Sequence, residues 1–318
     1  MPLLSRKRVI ALKLEANYGT LPTIAAADCV LVRDLNIQPA NTTMVSRDLI
    51  RPFLGASEQL PANTQVVVTF SVELAGSGTA GTVPRYDAAL QACGMSSTVV
   101  ASPASVTYAP ISNIPSSISI TYSIGRDTGS PDSVLHTVTG CRGSFVLNAT
   151  VGEIPTLDFT FTGIFNGPTD ANALVPTYGA QASPLIFKLG NTSAMQLHSF
   201  AGCFSSVTFD LGNTLVYREL VGCLKQVLIT DRNATGTVVL EAPTMAQKNY
   251  FTNIDTGTTG NLTFLHGTTA GNIIEFTAPR TSLTSVAYED QDSVHMLNAG
   301  YTAVAQSAAV PEVSLKYT

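Results

Sequence analysis

Val66 to Leu74 alternates without interruption, with Val66, Val68, Phe70, Val72 and Leu74 on one side and Thr69, Ser71 and Glu73 on the other. A period of two is the mark of a strand whose one face is buried. Leu157-Asp158-Phe159-Thr160-Phe161-Thr162 follows the same rule, and Ser117-Ile118-Ser119-Ile120-Thr121-Tyr122 puts Ile118, Ile120 and Tyr122 together. Such strands belong to antiparallel sheets with a core on one side, leaving the other side to water or to a partner. Two stretches read instead as short helices, Arg85 to Cys93 and Met245 to Phe251.

The pattern recurs in the second half of the chain. Cys29 to Leu35 followed by Val45-Ser46-Arg47-Asp48-Leu49-Ile50 is echoed by Cys203 to Phe209 followed by Val216-Tyr217-Arg218-Glu219-Leu220-Val221. In both halves a β-rich run then ends in glutamate before a break, at Glu73 and at Glu241, and a helix signal comes next. Further on, Leu135, Thr139 and Arg142 parallel Ile273, Thr277 and Arg280. A repeat of this length indicates two similar domains and not a solenoid of short units. The expected architecture is all-β, with two tandem sandwich or partial-barrel domains, each carrying a short flanking helix. The first spans 1–165 with an N-terminal arm, a turn-rich linker covers 166–179, and the second spans 180–318.

Composition agrees with that reading. A chain of 318 residues has room for two cores, and 12% charged residues with no Trp and frequent turn signals suits an all-β protein. No apolar run approaches the ~20 residues of a membrane-spanning helix. The basic N-terminus is interrupted by Lys13 and Glu15 too early for a secretory segment, so synthesis in a cytoplasm is expected. Five cysteines without paired spacing read as small core residues, with no disulfide framework or zinc site expected. A net charge of −5 opposes nucleic-acid binding of the ordinary kind, which rests on clustered Lys and Arg. The basic cluster Arg6-Lys7-Arg8 is expected at a solvated or interface-docking terminus.

The catalytic motifs sought are missing. His136, His198, His266 and His295 lack ligand spacing, no Gly-x-Ser-x-Gly elbow occurs, and Gly76-Ser77-Gly78-Thr79-Ala80-Gly81 lacks the Gly-Lys-Ser/Thr ending of a phosphate loop. Glu73, Asp158 and Glu241 invite comparison with a glycosidase pair, but the two glutamates stand at matching points of the repeat, which explains them more simply. The expectation is therefore no enzyme activity, no cofactor and no metal.

Several segments carry a resemblance: Leu14-Glu15-Ala16-Asn17-Tyr18-Gly19-Thr20-Leu21-Pro22-Thr23, Arg47-Asp48-Leu49-Ile50-Arg51-Pro52-Phe53-Leu54-Gly55, Val72 to Gly81, Ile229-Thr230-Asp231-Arg232 and His266-Gly267-Thr268-Thr269-Ala270-Gly271-Asn272. Together, in this order over nearly the whole chain, they resemble the major tail tube protein of bacteriophages with long non-contractile tails. The resemblance implies a structural virion protein, assembled in the host bacterial cytoplasm, whose copies join into rings. The rings stack into a hollow tube through which the genome leaves. It further implies self-association, contact with other tail proteins at the tube ends, passage of phage DNA without specific binding, and no membrane insertion.

With six tube domains per ring, as the resemblance implies, a duplicated chain needs three copies, giving a trimer of pseudo-sixfold symmetry. Four strands per domain would close a barrel of about 24 strands and roughly 48 Å backbone diameter. Candidates for its wall are Glu73, Asp158 and Glu241. Candidates for subunit contacts are Tyr18 and Pro22 in the N-terminal arm, Arg47, Arg51, Pro52, Phe53 and Leu54 in the following loop, and Arg218, the counterpart of Arg47. A head-decoration or adhesin-type β-protein is the alternative. A carbohydrate-active sandwich is disfavoured by the absence of Trp.

Overall fold

The structure, a computed structural model, describes residues 2–113, 115–307 and 310–318. The first half contains β1 (Leu3–Leu14), β2 (Arg33–Ser46), β3 (Gln59–Glu73), α1 (Asp87–Ala92), β4 (Met95–Ala101), β5 (Ala104–Pro110), β6 (Ile118–Arg126), β7 (Ser133–Thr150), β8 (Thr156–Phe165) and β9 (Thr169–Ala171). The second contains β10 (Thr192–Leu197), β11 (Phe204–Asp210), β12 (Asn213–Arg218), β13 (Gln226–Arg232), β14 (Thr235–Glu241), α2 (Tyr250–Asp255), β15 (Gly260–His266), β16 (Ile274–Gln291), β17 (Val294–Ala303) and β18 (Ser314–Tyr317). The fold is nearly all-β, as the alternation predicts, and each helix lasts under two turns.

Eight strands run side by side in the order β2-β3-β8-β7-β11-β14-β17-β16, every neighbouring pair antiparallel. The first four come from the first half and the last four from the second. In each half the last strand of its set of four continues into a second layer, β7 to β6 and β1, β16 to β15 and β10. Among the described residues two ladders join the halves. The ladder between β7 and β11 pairs Leu147 with Phe209 and Ala149 with Val207. The C-terminal β18 bridges β16 and β5.

The shared pleat buries one face of this sheet. Phe70, Phe159, Phe145, Phe209, Phe276, Phe264 and Phe187 form a chain of ring contacts from one half to the other, with centroids 5.1 to 6.2 Å apart. Full burial of each contributes about 1.5–3 kcal/mol, and the Phe145–Phe209 contact lies at the β7/β11 ladder. The hydrophobic cluster is continuous across the junction. A second contact between the halves brings the Gly76–Gly78 backbone against Gly271 and Asn272. The Gly76 amide donates to Asn272 Oδ1 at 2.8 Å and the Gly78 amide to the Gly271 carbonyl at 3.0 Å. Glycine is required there, because a Cβ on Gly76 would stand 2.0 Å from the Gly271 carbonyl oxygen.

The hairpins differ between the halves. β2 and β3 form one long hairpin with bulges. In the second half the corresponding hairpin breaks, so that β11 and β14 stay in the large sheet while β12 and β13 leave it as a two-stranded ribbon. The break sits where Gly212 takes φ +65° and the Asn233 amide donates to its carbonyl at 3.1 Å. A side chain at Gly212 would meet the Asn233 carbonyl oxygen at 2.0 Å.

Three expectations need correction. The second helix spans Tyr250–Asp255 and not Met245 to Phe251, because Asn249 caps it by accepting from the Thr252 amide at 3.0 Å, while Thr244 to Lys248 is held as a turn. Arg280 is not the counterpart of Arg142. Counting back from Glu73 and Glu241, Val67 matches Thr235. Their partners Thr162 and Thr302 stand opposite Arg142 and Ser282. Cys29, Cys93 and Cys141 are core residues, but Cys203 and Cys223 are exposed.

Candidate functional site

The side of the eight-stranded sheet away from the core is polar. Ser71 stands opposite Asp158, Asp158 opposite Val146, and Val146 opposite Asp210, so these residues share one face with Glu73. Glu241, at the end of β14, and Glu289 on β16 lie on the same side by register. Asp158 accepts from the Asn148 amide at 2.7 Å and Glu289 from Asn298 at 2.6 Å. Arg33 lies at the rim, 3.9 Å from Glu73. All three wall candidates, Glu73, Asp158 and Glu241, are therefore on one surface. It is rich in hydroxyls and carboxylates and suited to repelling a polyanion, not to gripping one. Among the described residues, no group of His, Cys, Asp and Glu is arranged to hold a metal ion.

The two ends of the sheet are unpaired edges among the described residues. β2 pairs with β3 alone, and β16 beyond Thr281 pairs with β17 alone. In the first half the position matching that end of β16 is covered by β11. Leu147, opposite Leu157, is 0% exposed, whereas Tyr288, opposite Leu297, is 55% exposed. The Tyr288 and Phe251 rings lie tilted against each other with centroids 5.7 Å apart, which makes an aromatic pair beside the free edge.

The β2–β3 hairpin projects past the sheet. Arg47 pairs with Glu58 at 2.9 Å on its stem. Arg51 lies 5.9 Å over the Phe53 ring, and Pro52, Phe53 and Leu54 are exposed, so the loop does not fold back on its own core. Ile50 and, at the matching tip of the β12–β13 ribbon, Val221 are fully exposed. Arg218 is exposed beside that second tip, and Pro22 is half-buried in the arm.

Tyr18 has a different place. Its hydroxyl donates to the Gly140 carbonyl at 3.0 Å and accepts from the Val227 amide at 2.6 Å, which ties the arm to the ribbon. Burial, more than any neighbouring charge, raises its pKa. The buried Arg142 guanidinium lies 5.0 Å over the Tyr18 ring and donates to the Val227 carbonyl at 2.8 Å and the Pro115 carbonyl at 2.9 Å. Beneath it Glu15 accepts from the amides of Gly19 and Gly140, both at 2.7 Å, and from the hydroxyls of Ser117 and Ser119 at 2.7 and 2.6 Å. Asn213 completes the seat, donating to the carbonyls of Cys93 at 2.7 Å and Gly143 at 2.9 Å, and through its amide to Ser144 at 3.2 Å. The β12–β13 ribbon is thereby clamped onto the first half. The clamp formed by Glu15, Arg142 and Asn213 is absent from the sequence reading, where Arg142 figures only as a marker of the repeat. The one available signal was the departure of Arg142 from the apolar and small residues around it in β7.

A family model described as "Phage tail tube protein" matches residues 5–309. A comparison with curated proteins finds no match.

Proposed function

The chain belongs to the phage tail tube protein family and is a structural component of the virion tail that polymerises with itself; from this premise we propose that three copies close into each ring of a long, non-contractile tail tube. Residues 1–165 and 180–318 serve as tandem tube domains, joined through 166–179. The observation that carries this reading is the eight-strand path β2-β3-β8-β7-β11-β14-β17-β16, two sets of four in the same order, ending on two unpaired edges.

Within the chain the two sets meet through β7 and β11. Repeating that junction between chains sets the free edge of β16 against β2 of the next copy. Matching positions place Ile37 of the next copy opposite Tyr288, as Phe209 stands opposite Leu147, and the Tyr288–Phe251 pair becomes covered. The contact is head-to-tail and closes when the rotation divides a full turn. Three copies give a barrel of about 24 strands with no edge left to pair.

In this ring the polar face with Glu73, Asp158 and Glu241 lines the channel. A wall with few basic groups lets a duplex slide without the counterion release that makes binding tight. The exposed hairpin tips at Ile50 and Val221, with Phe53 and Leu54, supply apolar contacts along the axis to the adjacent ring. Negative-stain microscopy of the purified chain tests the reading. Rings or tubes with a central channel are expected, and dispersed globules under all assembly conditions would favour a decoration or adhesin role.

A further inference from the structure

We infer that the β2–β3 hairpin of one copy seats on the β16 corner of the preceding copy in the same ring, as the β12–β13 ribbon seats on the β7 corner of its own chain; this rests on the ring reading above. The two hairpins correspond position by position. The pair Thr42–Thr64 matches Asn213–Arg232, and each is followed by a bulge after one further pair, between Thr43 and Met44 in the first and between Thr214 and Leu215 in the second. Thr42 thus occupies the place of Asn213. The corners correspond as well. Ser144 stands opposite Thr160, and Ser285 opposite Gly300 at the matching point of β17. Beside the corners, Gly94 and Gly257 follow α1 and α2 with φ +79° and +63°.

Seating changes what the hairpin exposes. In the bound ribbon Leu215 and Leu228 are half-buried, whereas their counterparts Met44 and Leu60 are exposed. Ser285 is exposed on the corner that would receive them. The occupant is therefore a second copy of this chain, presenting the same ribbon shape to the same corner shape. One feature is not duplicated. The place of Arg142 is taken by Ser282, whose short side chain cannot span to a hairpin carbonyl. The ring then alternates between joints locked by a buried guanidinium inside each chain and joints without it between chains. The free subunit carries the first kind ready-made and forms the second on assembly.

Disulfide trapping tests this. In a background carrying Cys203→Ser and Cys223→Ser, Thr42→Cys and Ser285→Cys are combined in one chain, with Asn213→Cys and Ser144→Cys as the intrachain control. After oxidation, covalent dimers and trimers with no larger species are expected from the first pair, and a monomer from the control. Mixing the two single variants should give covalent dimers alone. A ladder running past three chains would overturn the inference, since the hairpin would then reach another ring. Rings seen by microscopy without cross-links would overturn it while leaving the trimeric ring intact, and the absence of both would remove the ring reading and this joint together.

Discussion

The Arg142 guanidinium donates to the Val227 carbonyl at 2.8 Å, joining β7 of the first half to the ribbon of the second. A buried cation is costly unless hydrogen bonds and nearby negative potential compensate it. Here two carbonyls and the Tyr18 ring face do so. Burial is the main cause that lowers the Arg142 pKa, with the charges of Tyr18 and Glu15 opposing it. Arg142→Ala leaves the Val227 carbonyl without its donor and is expected to destabilise the chain by about 2–3 kcal/mol. Thermal unfolding measures that loss, and limited proteolysis between Glu219 and Lys225 should become faster than in the parent chain.

His198 makes stability depend on pH. Thr281 donates to the Gly260 carbonyl, so its oxygen accepts from His198 Nε2, and Nδ1 is left to accept from Asn253. The ring is therefore neutral. Burial first, then the Lys248 charge, lowers its pKa from 6.5 to about 4. Below pH 6.5 the unfolded chain takes up a proton that the folded chain refuses until about pH 4, so stability falls as pH drops through this window. The loss reaches up to about 3 kcal/mol near pH 4. Burial lowers His136 and His266 in the same direction. Melting temperatures from pH 7.5 to 4.5 should fall, and His198→Gln should flatten the slope.

The glycines divide into two kinds. Gly76→Ala drives a methyl into the Gly271 carbonyl and should cost more than about 3 kcal/mol or abolish soluble expression. Gly152→Ala meets nothing within 4 Å and is strained only by its φ of +92°, so a loss of about 1–2 kcal/mol is expected. Denaturant titration of the pair separates backbone crowding from conformational strain.

Tyr288 separates folding from assembly. Because Tyr288 is 55% exposed in the single chain, Tyr288→Lys should change unfolding free energy by less than about 1 kcal/mol. The same substitution places a charge where the next copy's Ile37 would pack. Rings and tubes should be lost on electron micrographs while the melting temperature holds. Normal tubes from the variant would place the β16 edge outside the ring contact.

Much of the sheet was legible in the sequence because burial on one face imposes period two. Val66 to Glu73 and Leu157 to Thr162 lie in strands with the faces assigned from alternation. Glu73, Asp158 and Glu241 share a surface for the same reason. The Arg142–Arg280 match failed because it paired like residue types 138 positions apart, whereas the ladders put Arg142 and Ser282, 140 apart, at corresponding points. The clamp on the ribbon was illegible because Tyr18, Arg142 and Val227 are distant in sequence and their partners are mainly backbone carbonyls and amides, which every residue carries. The departure of β12 and β13 from the sheet rests on Gly212 and Asn233, two separate residues of ordinary turn type until their close approach is known.

Whether a threefold ring of this chain builds a sixfold-like pipe is decided by the number of chains per ring that cryo-electron microscopy counts in assembled tubes. Three chains per ring are predicted, each giving eight adjacent strands to the channel wall with β16 of one chain hydrogen-bonded to β2 of the next. Six chains in a ring, or three whose walls are interrupted at the chain boundaries, would contradict it.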